Sequence, residues 1–174
     1  AAAAAAGCGT LLVERHGFLG GMGTAAGLSA FINYHHGARN LALSFYRSVV
    51  SDLAREGATY QAESGHVDIF EPEALKRILE SRLERAGVEF AFHTTLSHVE
   101  RDGDGWVLHV LQRGGTAVLR ARYLVDATGD ADAATRAGAT VPASRPTHNR
   151  RRRIIVSPPG PASSWRGEYR RSCR

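Results

Sequence analysis

At Gly87 the hydrophobic period of the chain changes, and no other feature limits its possible folds as much. Before it, Leu75, Ile78, Leu79, Leu83 and Ala86 fall on one face of a helix predicted over 72–86. Pro72 suits the first turn, where its missing N–H is not needed, and Glu71 and Glu73 complement the positive end of the helix. After Gly87, residues 88–92 read as a strand. Residues 96–101, 106–112 and 117–122 then read as three more, the first two flanking the turn "DGDG" and the last following "RGGT". A helix running straight into a strand and then a three-stranded meander predicts an α/β fold.

The remaining segments extend that pattern at both ends. The six leading alanines read as the end of a helix stopped by Gly7 and Gly9, and residues 11–13 as a short buried strand closed by Glu14. "HGFLGGMGTAAG" over 16–27 is a loop whose backbone must approach something closely. Leu41, Phe45, Val49 and Leu53 recur every four residues and predict an amphipathic helix ending near Gly57. "YLVDATGDADAATRAGA" over 123–139 reads as an apolar strand, a sharp turn and a short helix stopped by Gly138.

Composition narrows the function. At 174 residues the chain is long enough for one sizeable core, and no apolar run approaches a membrane span. The leading alanines lack the charged and bulky apolar parts of a signal peptide. Cys8 and Cys173 lie near opposite ends, which gives neither a disulfide framework nor a metal-binding C-x-x-C pair, so a reduced, cytoplasmic setting is expected. The net charge of +5 divides unevenly: residues 1–144 hold 13 basic and 16 acidic groups, and residues 145–174 hold 9 basic groups against Glu168. From Pro142 onward the text is rich in Arg, Pro and Ser, with Ile154–Val156 as its one apolar run, and it cannot bury enough surface to fold alone. The arginines at 150–153 would neutralise phosphates without sequence preference, but no interleaved aromatic surface accompanies them, so nucleic acid is not the expected partner.

Taken in order, strand, acid, glycine loop, helix, "FEPEALKRILESRLERAGVEF", meander and "LVDATGD" resemble the FAD-dependent oxidoreductases of the glutathione-reductase-like fold, near the heterodisulfide reductase A-like flavoproteins. The resemblance covers roughly residues 1–140 and implies FAD as cofactor and a small-molecule substrate. It divides the chain into a partial Rossmann-like FAD-binding domain over 1–141 and an Arg/Pro/Ser-rich tail over 142–174, disordered or frame-shifted. In the family a strand and a G-x-G-x-x-G turn come first, with the acid about 20 residues after that turn. Only thirteen residues precede Glu14, so the chain is expected to start inside its cofactor domain and to bind FAD weakly, if at all. The 21 arginines against one lysine fit a GC-rich source, in which a shifted frame would produce such a tail.

The resemblance also carries site residues. Glu14, with Arg15 beside it, takes the place of the acid that binds the adenosine ribose, the alternative being an ordinary solvated acid at a strand end. Gly20 and Gly21 match the second glycine loop near pyrophosphate and flavin, or form a plain surface turn. Leu96 falls where main-chain groups pair with the adenine edge, or else packs in the core. Ala127, Thr128, Gly129 and Asp130 match the turn beside the cofactor, with Asp130 alternatively capping the helix that follows. His35 and His36 lie in a segment that often nears flavin or substrate, but adjacent histidines point different ways and do not suggest a shared metal. No catalytic residue is assigned. A nicotinamide nucleotide in place of FAD is a weaker alternative, because simple NAD domains join their halves by a helix rather than a meander. A basic-tailed nucleic-acid-binding protein is the non-enzymatic one.

Overall fold

The computed structural model describes residues 1–32, 34–36, 39–41, 45–61, 67–139 and 154–156, and for 35, 36, 39, 40 and 154–156 the backbone alone. The described residues divide into two compact units, Ala1–Phe92 and those from His93 onward.

In the first unit, helix α1 (Ala2–Ala5) leads to strand β1 (Thr10–Val13), which pairs in parallel with β7 (Val88–Ala91). The ladder runs one residue further, where the Glu14 N–H donates to the Ala91 carbonyl at 3.0 Å. Parallel neighbours require a long crossover. Here it contains α2 (Phe45–Arg55) and α3 (Pro72–Arg85), the latter ended by Gly87 at φ +76°. Leu75 and Ile78 of α3 pack with Val49 and Leu53 of α2, and Leu83 packs with Leu19 and Val88 over the parallel pair. Arg82 ties the two helices through the Ser48 carbonyl at 2.7 Å and an ion pair with Asp52.

Between glycine loop and α3, three short strands form an antiparallel sheet in the order β2 (Ala30–Phe31), β6 (Asp68–Phe70), β5 (Thr59–Gln61). Strands of two or three residues are too short to display alternation, so the sequence does not announce them. A further hairpin joins β3 (His35–His36) to β4 (Arg39–Asn40), with His35 opposite Asn40. The hairpin explains why Leu41 stands outside the helix that its spacing predicts: its N–H donates to the Tyr34 carbonyl at 2.7 Å.

The second unit contains the expected meander. Strands β8 (Thr95–Asp102), β9 (Gly105–Gln112) and β10 (Gly115–Ala121) are antiparallel in the order β10-β9-β8. Asp102 faces Gly105 and Gln112 faces Gly115, so both connections are two-residue turns. Val99, Trp106 and Leu108 form the core of this unit, with Leu96, Leu119 and Leu124 packed against them. Strand β11 (Leu124–Asp126) leads into α4 (Asp132–Arg136) and pairs antiparallel with β12 (Ile154–Val156). The one apolar run of the basic tail is thus a strand. The rest of that tail, including the arginines at 150–153 and Cys173, lies outside the described residues, as do the expectations placed on it. No described helix is long and apolar enough to cross a membrane.

Candidate cofactor site

An apolar strand that ends in an acid must either expose the acid or satisfy it, and β11 satisfies it. Asp126 is only 3 % exposed. Its Oδ1 accepts the Thr128 N–H at 2.9 Å and the Thr128 hydroxyl at 2.7 Å, and its Oδ2 accepts the Ala134 N–H at 2.8 Å. Burial by itself pushes the carboxyl pKa upward. The N–H groups of Thr128, Ala134 and Ala133 and the Thr128 hydroxyl outweigh that and hold it below the ordinary value. The Thr128 hydroxyl also accepts the Asp132 N–H at 2.9 Å, so the first turn of α4 is held from below by Asp126 and Thr128.

Asp130 is not the cap of α4. The N-cap is Ala131, in the left-handed region at φ +63°, with no side-chain cap bond of its own. Asp130 therefore lies one position before the cap, too early to reach the first-turn N–H groups. It is exposed and makes no hydrogen bond among the described residues. Ala127, Thr128 and Gly129 are exposed as well. Gly129 takes φ +93°, and a Cβ built there would meet nothing within 4 Å. The turn is a tip of open backbone on a buried anchor.

In the first unit, Glu14 is half-buried at the end of β1. Its Oε1 accepts the His16 N–H at 2.8 Å, which leaves Oε2 without a protein donor among the described residues. Arg15 is exposed and directs Nε at His16 Nε2, 3.3 Å away. The two adjacent glycines differ. Gly20 has φ +112° and no room for a side chain, since a Cβ would lie 2.5 Å from Thr24 Cγ2. The Thr24 hydroxyl donates to the Leu19 carbonyl at 2.8 Å and fixes that crowding. Gly21, at φ +50°, is exposed with open space above it. Gly20 shapes the loop, and Gly21 is the position open to a ligand.

Leu96 sits in β8 opposite Val110, just before an irregularity in the register, and its side chain packs against the meander core. That accounts for its side chain. The outer edge of β8 pairs with no other strand among the described residues. Residues 127–130 thus share one turn, while Glu14, Arg15, Gly20 and Gly21 belong to the connection after β1. His35 and His36 have no described side chains. No group of three or more described residues is placed to hold a metal.

Two arrangements escape sequence reasoning. Asp126 is visible only as a lone acid ending an apolar strand. The other is a buried cluster in which Tyr34 OH donates to Asp68 Oδ2 at 2.7 Å and Tyr46 OH donates to the same oxygen. Burial, and then the Asp68 carboxylate, drive the Tyr46 phenol far above its ordinary pKa. Tyr34 lies just before β3, Tyr46 in α2 and Asp68 in β6, and no spacing rule links them. FAD demands a carboxylate oxygen free for ribose hydroxyls and backbone that a phosphate or ring can approach. Glu14 Oε2, Gly21 and Gly129 fit those demands.

The sequence profile of the family described as FAD dependent oxidoreductase matches residues 1–152. No curated protein is similar enough to count as a match. Among solved structures, the Diels-Alderase PyrE3 of the pyrroindomycin pathway is similar at 18 % identity and a TM-score of 0.50, over 74 % of this chain and 29 % of that one. BexE, from a study of oxidation during BE-7585A biosynthesis, is similar at 22 % identity and a TM-score of 0.45, over 70 % of this chain and 26 % of that one. Aklavinone-11 hydroxylase, solved as a ternary complex with FAD and aklavinone, is similar at 20 % identity and a TM-score of 0.41, over 73 % and 29 %. The likeness to PyrE3 is one of fold, and the chain spans between 26 % and 29 % of the length of these structures.

Proposed function

The chain belongs to the FAD-dependent oxidoreductase family, and from that premise we propose that its residues hold the adenosine and pyrophosphate part of FAD for redox chemistry on a small organic molecule. The observation that carries the proposal is the turn at 127–130, an exposed tip with open backbone at Gly129, fixed by a carboxylate that is itself buried. When bound, the flavin supplies hydride or electron transfer at its N5, while the protein supplies binding and position.

Each residue then has a task suited to its chemistry. Glu14 accepts ribose hydroxyls through Oε2, the oxygen not used by His16. Gly21 and Gly129 let the backbone come close where any side chain would intervene. Leu96 offers main-chain groups along the outer edge of β8 to the adenine. Asp130, exposed and unbonded, accepts a cofactor hydroxyl, and Arg15 provides a positive charge on the loop that Gly21 opens. Within the family, the text at 11–27 and 124–139 supports a place near the heterodisulfide reductase A-like flavoproteins.

Glu14→Gln and Asp130→Ala test this assignment. Asp130 makes no bond among the described residues, so its replacement is expected to leave the thermal melt unchanged while weakening FAD binding, followed by quenching of flavin fluorescence. Glu14→Gln is expected to weaken binding as well, because one of its terminal atoms becomes a donor. If both variants bind FAD as tightly as the unmodified chain, the assignment is wrong.

A further inference from the structure

The Asp126 carboxylate bonds directly to both the turn at 127–130 and the first turn of α4. It does so through two oxygens with separate duties. Oδ1 fixes Thr128 by backbone and by hydroxyl, and Thr128 passes the constraint on to Asp132 N–H. Oδ2 fixes Ala134 N–H, inside α4. Between these two attachments lie Gly129 at φ +93° and Ala131 at φ +63°; the Ala131 carbonyl also accepts the Thr135 N–H at 2.9 Å and the Thr135 hydroxyl at 2.8 Å. A left-handed alanine costs about 1 kcal/mol or more and persists only when its surroundings over-determine it. Here the surroundings are Asp126, which fixes Thr128 before Ala131 and Ala134 after it, and Thr135, which fixes the Ala131 carbonyl itself.

On this geometry we propose that Asp126 is a positioning residue for the cofactor: it touches no ligand itself, and sets FAD affinity by holding residues 127–130 in their binding shape. The inference rests on the assignment of that turn to FAD made above. A carboxylate suits the role better than its amide. Both oxygens must accept, and an asparagine in place of Asp126 would present a donor to either Thr128 or Ala134. The rigidity is local, because Thr128 relays it through a single hydroxyl that valine can replace in shape but not in bonding.

The experiment uses the full chain with Asp126→Asn, Thr128→Val, the two combined, and Leu53→Ala as a control that weakens the core between α2 and α3, which contains no residue of the turn. FAD affinity is measured by flavin fluorescence below the melting range of every variant, and amide exchange is followed by NMR. Loss of a hydrogen bond to a charged group predicts that Asp126→Asn weakens FAD binding about tenfold or more. Thr128→Val should weaken it as well, with the double variant no worse than the poorer single one. Exchange should quicken at Thr128, Asp132 and Ala134 and stay unchanged in β8–β10. Leu53→Ala should lower the melt and leave affinity alone. Should Asp126→Asn fold, lose stability and still bind FAD as before, the residue is merely structural and the inference fails. Independent, additive effects of the two substitutions on affinity would also overturn it. Absence of FAD binding by the unmodified chain is a different failure, since it removes the functional assignment first and the inference with it.

Discussion

Gly20 and Gly129 both take positive φ, yet replacing them should have unequal effects. At Gly129 alanine meets open space, so Gly129→Ala costs only the backbone strain, about 1 kcal/mol in a urea melt. At Gly20 the same strain is joined by a Cβ 2.5 Å from Thr24, whose hydroxyl is committed to Leu19, so Gly20→Ala should cost clearly more. Equal costs would mean that the Thr24 contact yields easily. Asp126 adds a dependence on pH. Its folded-state pKa is lowered, so its contribution is present above the unfolded value of about 3.9 and is lost as pH falls through the folded one. The difference in melting between the chain and Asp126→Asn should be largest near neutrality and shrink below pH ~4. A difference that persists at low pH would place its origin elsewhere. The sequence displays the glycines of the site because their type is their function. It does not display which of them faces a neighbour and which faces open space, because that depends on residues such as Thr24.

Among the elements, α3 and the meander were legible because each spans several periods of its pattern. Leu75, Ile78 and Leu83 are all buried where the helical spacing puts them, and the turns at 103–104 and 113–114 join the strands they were expected to join. The small sheet β2-β6-β5 and the hairpin β3–β4 were not legible, since strands of two or three residues carry no period. Leu41 and Leu53 show the limit within one element. The fourfold spacing puts both on one stripe, but the hairpin claims the backbone of Leu41, which is 56 % exposed, while Leu53 is fully buried. Leu53→Ala should therefore destabilise the chain by roughly 2–5 kcal/mol and Leu41→Ala by less than about 0.5 kcal/mol, both read from denaturant melts. Similar values for the two would contradict the packing described for α2.

For the whole molecule, the order of elements carried more than any single motif. Strand, glycine loop, helix, strand, meander and turn appear in the sequence in the order expected of FAD-dependent oxidoreductases, and the family profile spans residues 1–152. The anchor of the turn at 127–130 was not legible, because Asp126 reaches Ala134 only once the chain is folded. The central claim is that this fold is used to hold the adenosine and pyrophosphate of FAD. Titrating FAD into the full chain, with ADP, FMN and NAD as competitors, tests it most directly. The account predicts weak but saturable quenching of flavin fluorescence that ADP competes away and FMN does not. No saturable binding, or equal competition by FMN, would contradict it.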